Sequence, residues 1–156
     1  MTKVLFVCTA NICRSPMAEG LFRQQVREMD SQHHWRMASA GTWTKGGHPA
    51  DKVVLKLLAE LGIDMRGHRS REVSERLLMA SDVVLVMEAS HKEALCVEFP
   101  DHAAKIFQLS ELAGKTQDVI DPVGGPLIDY KATLIEIRDY LKDAPAKIME
   151  LINSTS

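Results

Sequence analysis

Residues 3–16 read Lys3-Val4-Leu5-Phe6-Val7-Cys8-Thr9-Ala10-Asn11-Ile12-Cys13-Arg14-Ser15-Pro16, and their order decides the fold class. Lys3 to Val7 is a continuous apolar run rich in β-branched residues, the pattern of a parallel strand buried on both faces. Such strands deliver their C-terminal ends to the ligand-binding edge of an open α/β sheet. Beyond the loop, Ser15 or a near neighbour suits a helix cap and Pro16 suits a first turn, while Met17, Leu21, Phe22, Val26 and Met29 recur at helical spacing. The loop therefore joins a strand end to a helix N-terminus. Free backbone N–H groups and the helix dipole meet there, so an oxyanion is stabilised without a metal.

The same field acts on Cys8, because a helix N-terminus and a nearby arginine both favour the thiolate form of a cysteine. Arg14 adds a planar fork whose two parallel hydrogen bonds match the equatorial oxygens of a phosphoryl group, which a lysine ammonium does not. Ser15 is placed to donate its hydroxyl proton to the sulfur anion. That bond also makes the sulfur a better leaving group.

These residues resemble the low-molecular-weight protein tyrosine phosphatases, whose signature is Cys-x5-Arg-Ser-Pro near the N-terminus. The likeness continues in family order through Ala18-Glu19, Ser39-Ala40-Gly41-Thr42, the stretch from Gly62-Ile63 to His68-Arg69-Ser70-Arg71, Asp82 to Glu88, and Asp121-Pro122, so it covers nearly the whole chain. It implies an α/β fold: one domain over residues 1–156, a three-layer sandwich whose four-stranded parallel sheet has the order 2-1-3-4. It also implies a mechanism without cofactor or metal. Cys8 attacks phosphorus in line while Asp121 protonates the departing phenolic oxygen, and water then cleaves the cysteinyl-phosphate with Asp121 as base. The loop amides of Thr9, Ala10, Asn11, Ile12, Cys13 and Ser15, together with Arg14, stabilise the transferring group. Spacing alone leaves Asp118 and Asp121 equally open as the acid; the resemblance selects Asp121.

A supporting set follows from the same likeness. Asn11 is the loop residue best suited to positive φ. The family holds that asparagine in a hydrogen-bond network to which Ser15, Ser39 and His68 correspond, with Glu19 among the supporting residues. Two positions depart from the mammalian pattern. Ala10 stands where many members carry glycine, which predicts a small cost in close backbone approach. Val123-Gly124-Gly125 replaces the adjacent tyrosines that wall the mammalian pocket, leaving Val123 and Trp43 as candidate substrate walls. Ile12 stands where phosphoarginine-specific relatives tend to carry threonine, and an apolar side chain suits an aromatic ring, which favours phosphotyrosine.

Other readings share the motif. A thioredoxin-coupled arsenate reductase needs two further cysteines close together, and only Cys96 lies in the comparable region. A phosphopeptide-binding module has no need of a thiolate or an acid. Cys13 reads either as a small buried hydrophobe or as a resolving thiol that captures oxidised Cys8 in a disulfide.

Composition agrees with an enzyme of this class. The chain has 156 residues, 46% of them hydrophobic, which suffices for one full core. A net charge of −2 gives no basic footprint for nucleic acid. No stretch reads as a membrane span or signal peptide, so the sequence predicts a cytoplasmic enzyme acting on phosphotyrosine proteins. By resemblance to bacterial members, an autophosphorylating tyrosine kinase is a candidate partner. Three cysteines argue against a disulfide framework. His33-His34 reads as a loop pair whose rings point apart, not as a metal site. The run Arg66 to Arg71 reads as a solvated face, and His48, His91 and His102 carry no role. Strands are expected near 3–7, 35–40, 82–87 and 105–108, and helices near 16–29, 49–61, 73–79, 90–96 and 128–141, with a break at Ala144 before a last turn led by Pro145.

Overall fold

The computed structural model describes residues 1–155. Its elements are β1 (Thr2–Cys8), α1 (Arg14–Glu28), β2 (Trp35–Gly41), α2 (Lys52–Glu60), α3 (Glu75–Met79), β3 (Val83–Val86), α4 (Ala89–Glu98), β4 (Ile106–Gln108), α5 (Leu127–Tyr140) and α6 (Ala144–Ser154). The strands form one sheet of order β2-β1-β3-β4 with every pairing parallel, as expected.

The central strand explains the layers. Val4 to Cys8 are all buried, and their side chains divide by alternation: Val4, Phe6 and Cys8 join the larger core cluster, with residues of α1, α2, α5 and α6. Leu5 and Val7 join the smaller one, with Leu78 of α3 and Leu95 of α4. Strand β3 splits in the same way, Val83 and Leu85 to the first face and Val84 and Val86 to the second. A period of two across a doubly covered strand thus gives a three-layer arrangement with Cys8 on the α1 side.

Helix ends follow local chemistry more closely than apolar spacing suggests. α2 starts at Lys52 because the Asp51 carboxylate accepts from the Val53 N–H at 2.8 Å. α3 starts at Glu75 behind a Ser74 cap, while Val73 donates its N–H to the Gly41 carbonyl and extends the sheet edge. The break near Ala144 is present, and the helix that follows is longer than a single turn, running through Ser154. His33 and His34 do not point apart: their ring centroids lie 3.9 Å from each other. Among the described residues no helix is long and apolar enough to cross a membrane.

Candidate active site

The loop after β1 is held by the strand beside it. Gly41 pairs with Cys8, and a Cβ there would overlap the Thr9 carbonyl oxygen and crowd Ala10 and Asn11. The close approach that glycine permits is thus made from β2, against Ala10 of the loop. Thr42 and Trp43 then donate their N–H groups to the carbonyls of Cys8 and Thr9.

Asn11 adopts φ 59° and is fully buried. Its amide orientation is fixed by an unambiguous donor: the Arg71 N–H reaches Asn11 Oδ1 at 3.0 Å. Asn11 Nδ2 therefore donates to Ser15 Oγ at 2.8 Å and to Ser39 Oγ at 3.0 Å. His68 Nε2 donates to the Asn11 carbonyl at 2.7 Å. The network expected around Ser15, Ser39 and His68 is assembled, and Arg71 joins it through its backbone and a bond from Nε to the Ser39 carbonyl. The run from Arg66 to Arg71 is not uniformly a solvated face.

A left-handed asparagine costs about 1–3 kcal/mol, which these bonds offset, so the loop is set before any ligand arrives. Asn11→Ala is expected to lower turnover about hundredfold, equivalent to roughly 2.8 kcal/mol. Its cost in unfolding free energy is expected to be smaller, about 1–2 kcal/mol, because the backbone strain relaxes once the bonds that offset it are gone. Parallel kinetics and urea denaturation compare the two losses, and equal losses would refute preorganisation as the role of Asn11.

Ser15 does not cap α1. The N-cap is Cys13, which makes no side-chain capping bond, so the first turn keeps its amides for a ligand. Ser15 Oγ instead lies 3.0 Å from Cys8 Sγ. Since Ser15 Oγ already accepts from Asn11, its own proton is free to donate to the sulfur.

Arg14 is 1% exposed. Its Nη1 donates to Glu88 Oε2 and to the Val119 carbonyl, each at 2.6 Å, and its Nη2 donates to Thr9 Oγ1 at 3.3 Å. Arg14 Nε has no hydrogen-bond partner among the described residues. A buried donor without a partner is costly, and an anion in the loop would satisfy it. Glu88 carries no role predicted from sequence, although a carboxylate two residues beyond a buried strand, at the ligand edge of the sheet, is a readable signal. Val119 contributes only a carbonyl and left none.

His91 does have a place in the site. Its Nδ1 accepts from the Glu88 N–H at 3.1 Å, so its Nε2 carries the proton and donates to Thr9 Oγ1 at 2.8 Å. Burial lowers the His91 pKa below its ordinary value; Arg14 acts in the same direction, while Glu88, Asp118 and Asp121 oppose it. A neutral ring is what this bonding pattern requires. The Thr9 oxygen, accepting from both His91 and Arg14, has its own proton left to donate.

Asp121 brings Oδ2 to 3.9 Å from Arg14 Nη2, while its Oδ1 accepts from the Val123 N–H at 3.0 Å. One carboxylate oxygen is pinned and the other faces the arginine. Val123 is exposed, and Trp43 is 81% exposed with only its backbone tied to the loop. Ile12 is half-buried. Glu19 pairs with Arg23 one helical turn away at 2.7 Å, apart from the Asn11 network. Cys8, Cys13 and Cys96 are free thiols. Burial pushes the Cys13 thiol far up, helped by Asp121, Cys8 and Asp51 and opposed by Arg14. A neutral thiol is a slow nucleophile, which retards any attack by Cys13 on an oxidised Cys8.

A buried thiol at the start of a loop that enters an uncapped helix N-terminus, with a buried guanidinium in that loop and a carboxylate oxygen 3.9 Å from the guanidinium, suits displacement at the central atom of a bound oxyanion, the chemistry of a cysteine-dependent phosphatase. The family model described as low molecular weight phosphotyrosine protein phosphatase matches residues 3–154. The chain is 35% identical to a protein-arginine-phosphatase from Bacillus subtilis, covering 89% of this chain and 91% of that one. It is 32% identical to a probable low molecular weight protein-tyrosine-phosphatase, EpsP, from Ralstonia nicotianae, over 84% and 85% of the two chains. A crystal structure of a low molecular weight protein tyrosine phosphatase from T. tengcongensis superimposes with a TM-score of 0.87 at 40% identity, covering 96% of this chain and 99% of that one. The chain belongs to the low-molecular-weight phosphotyrosine protein phosphatase family and is an enzyme of the phosphatase class.

Proposed function

We propose that the enzyme hydrolyses phosphotyrosine in proteins through a phosphate ester of Cys8, with Asp121 as acid and then base. The observation that carries this reading is Arg14, buried and anchored on one side by Glu88 and Val119, with Nε unpartnered among the described residues. In the first step the Cys8 sulfur forms a bond to phosphorus and the bond from phosphorus to the tyrosyl oxygen breaks. Asp121 gives its proton to that oxygen. In the second step Asp121 takes a proton from water, the hydroxyl oxygen bonds to phosphorus, and sulfur leaves with the electron pair, steadied by the Ser15 hydroxyl.

Similarity to relatives named for either amino acid leaves phosphotyrosine and phosphoarginine as the competing substrates. Ile12 supports phosphotyrosine, because an apolar side chain at the loop rim contacts an aromatic ring favourably and offers a guanidinium no hydrogen bond. Trp43, exposed beside the loop, has room to stack on that ring and serve with Val123 as a wall. The enzyme is read as one domain in the cytoplasm, where an autophosphorylating tyrosine kinase is the fitting partner.

The test is a comparison of kcat/KM for phosphotyrosine and phosphoarginine peptides by the wild type and Ile12→Thr. A preference of about tenfold or more for phosphotyrosine, reduced by the substitution, is expected, given the small energies that discriminate apolar groups. Preference for phosphoarginine by the wild type overturns the substrate assignment. Rapid quenching of Asp121→Ala with labelled phosphopeptide, followed by mass spectrometry, should find phosphate on Cys8; phosphate on any other residue overturns the mechanism.

A further inference from the structure

We infer that Tyr130 is a positioning residue for Asp121: its hydroxyl ties the segment 121–125 to the phosphate loop through Asp51. This rests on the reading of Asp121 as the general acid and deepens it.

The link is continuous. The Asp51 N–H donates to the Ile12 carbonyl at 2.8 Å, joining the residue to the loop. The two oxygens of the Asp51 carboxylate then serve different elements. Oδ1 accepts from the Val53 N–H and caps α2, while Oδ2 accepts from the Tyr130 hydroxyl at 3.0 Å. The hydroxyl oxygen in turn accepts from the Gly124 N–H at 3.3 Å. Gly124 has φ 83° at the third position of a turn closed by the Gly125 N–H on the Pro122 carbonyl at 2.9 Å. Within that turn the Val123 N–H pins Asp121 Oδ1. From the Ile12 carbonyl to Asp121, each step is a hydrogen bond or a short stretch of backbone.

Tyr130 is suited to be the fixed point. It lies on α5 and its ring is buried in the core cluster that also contains Phe22 and Met17 of α1. Asp121, by contrast, is exposed, on a turn that bears no other buried side chain than Pro122. The distance between its free oxygen and the loop is therefore set from outside the turn. A misplacement of about 1 Å at a reacting group costs on the order of a hundredfold. Gly124 is exposed and Asp51 half-buried, so water reaches both groups once the hydroxyl is removed, and the fold survives while the turn loses its anchor.

The signature is dependence on the leaving group. An acidic phenol departs without help, whereas a basic one needs the proton from Asp121. The experiment measures kcat/KM, which reports formation of the cysteinyl-phosphate, over a series from 2,4-dinitrophenyl phosphate to phenyl phosphate, for the wild type, Tyr130→Phe, Asp51→Ser and Asp121→Asn. Serine keeps a cap acceptor for α2 but is too short to reach Tyr130. Thermal melts verify folding of each variant. Tyr130→Phe and Asp51→Ser are expected to lose about tenfold on phenyl phosphate and less than about twofold on the dinitrophenyl ester, in the same sense as the larger steepening by Asp121→Asn. A profile for both variants parallel to that of the wild type, whether lowered uniformly or unchanged, overturns the positioning role and leaves Asp121 standing. A wild-type-like profile for Asp121→Asn overturns the acid assignment, and the positioning role with it.

Discussion

Arg14→Lys is expected to lower kcat about 10²–10³-fold, the usual loss when a donor to a developing oxyanion is removed. Charge is conserved in this substitution and geometry is not. Arg14 uses Nη1 on Glu88 and the Val119 carbonyl and one N–H of Nη2 on Thr9, which leaves Nε and the second Nη2 hydrogen for a ligand. A lysine has one nitrogen for both tasks. If the ammonium binds Glu88, it is withdrawn from the phosphoryl group; if it turns to the phosphoryl group, the half-buried Glu88 carboxylate and the Val119 carbonyl lose their donor. The loss in folding free energy should be about 1–3 kcal/mol, well inside the margin of about 5–15 kcal/mol that keeps a domain folded. Steady-state kinetics with inorganic phosphate as competitor separates the effects: turnover falls and the inhibition constant for phosphate rises. A variant that turns over within about threefold of wild type would show that charge alone suffices and that the fork is dispensable.

What could be read in advance was whatever depends on side-chain type at fixed spacing. The run Val4 to Val7 specified a central strand because covering both faces requires apolar residues at every position. Asn11 could be placed at positive φ because few residues tolerate that region, and the three partners named for it are the ones it touches or is touched by. Illegible parts have a common cause: a group whose action depends on a partner distant in sequence. Ser15 has the composition of a cap, yet Asn11 and Cys8 claim its oxygen, so α1 begins uncapped. His91 looks idle in a helix, and its role exists only because parallel pairing of β1 with β3 sets α4 beside Thr9. Arg71 acts through a backbone N–H, and Val119 through a carbonyl, for which no side-chain pattern selects.

The same distinction governs Glu88. It lies two residues beyond β3, as the loop carrying Arg14 lies beyond β1, and the two strands are hydrogen-bonded neighbours, so cation and counter-ion arrive at one sheet edge from different parts of the chain. Burying a guanidinium is expensive unless it is paired, and pairing it on one side only is how a fold keeps it charged, oriented and still available to a ligand. His91 adds to this by holding the Glu88 backbone, which restrains the residue that restrains Arg14.

Asp121→Asn is expected to lower kcat/KM for phosphotyrosine peptides about 10²–10⁴-fold, the range for loss of a general acid, whereas Asp118→Asn should stay within about threefold of wild type. Motif spacing does not separate the two carboxylates, but their partners do. Asp118 Oδ1 accepts from the Ala89 N–H at 2.9 Å and from Gln108 Nε2 at 3.0 Å, so it caps the start of α4 and bridges to the end of β4. A residue so engaged contributes to stability, and its amide analogue should cost about 0.5–1.5 kcal/mol in urea denaturation with little effect on chemistry. Asp121 makes one local bond through Oδ1 and directs Oδ2 toward Arg14. Its amide analogue keeps the local acceptor and the shape while removing the transferable proton, so the fold should lose almost nothing and the proton transfer nearly everything. The reverse outcome, with Asp118→Asn inactive and Asp121→Asn active, would move the acid three residues toward the N-terminus and require the segment 118–121 to rearrange on binding substrate.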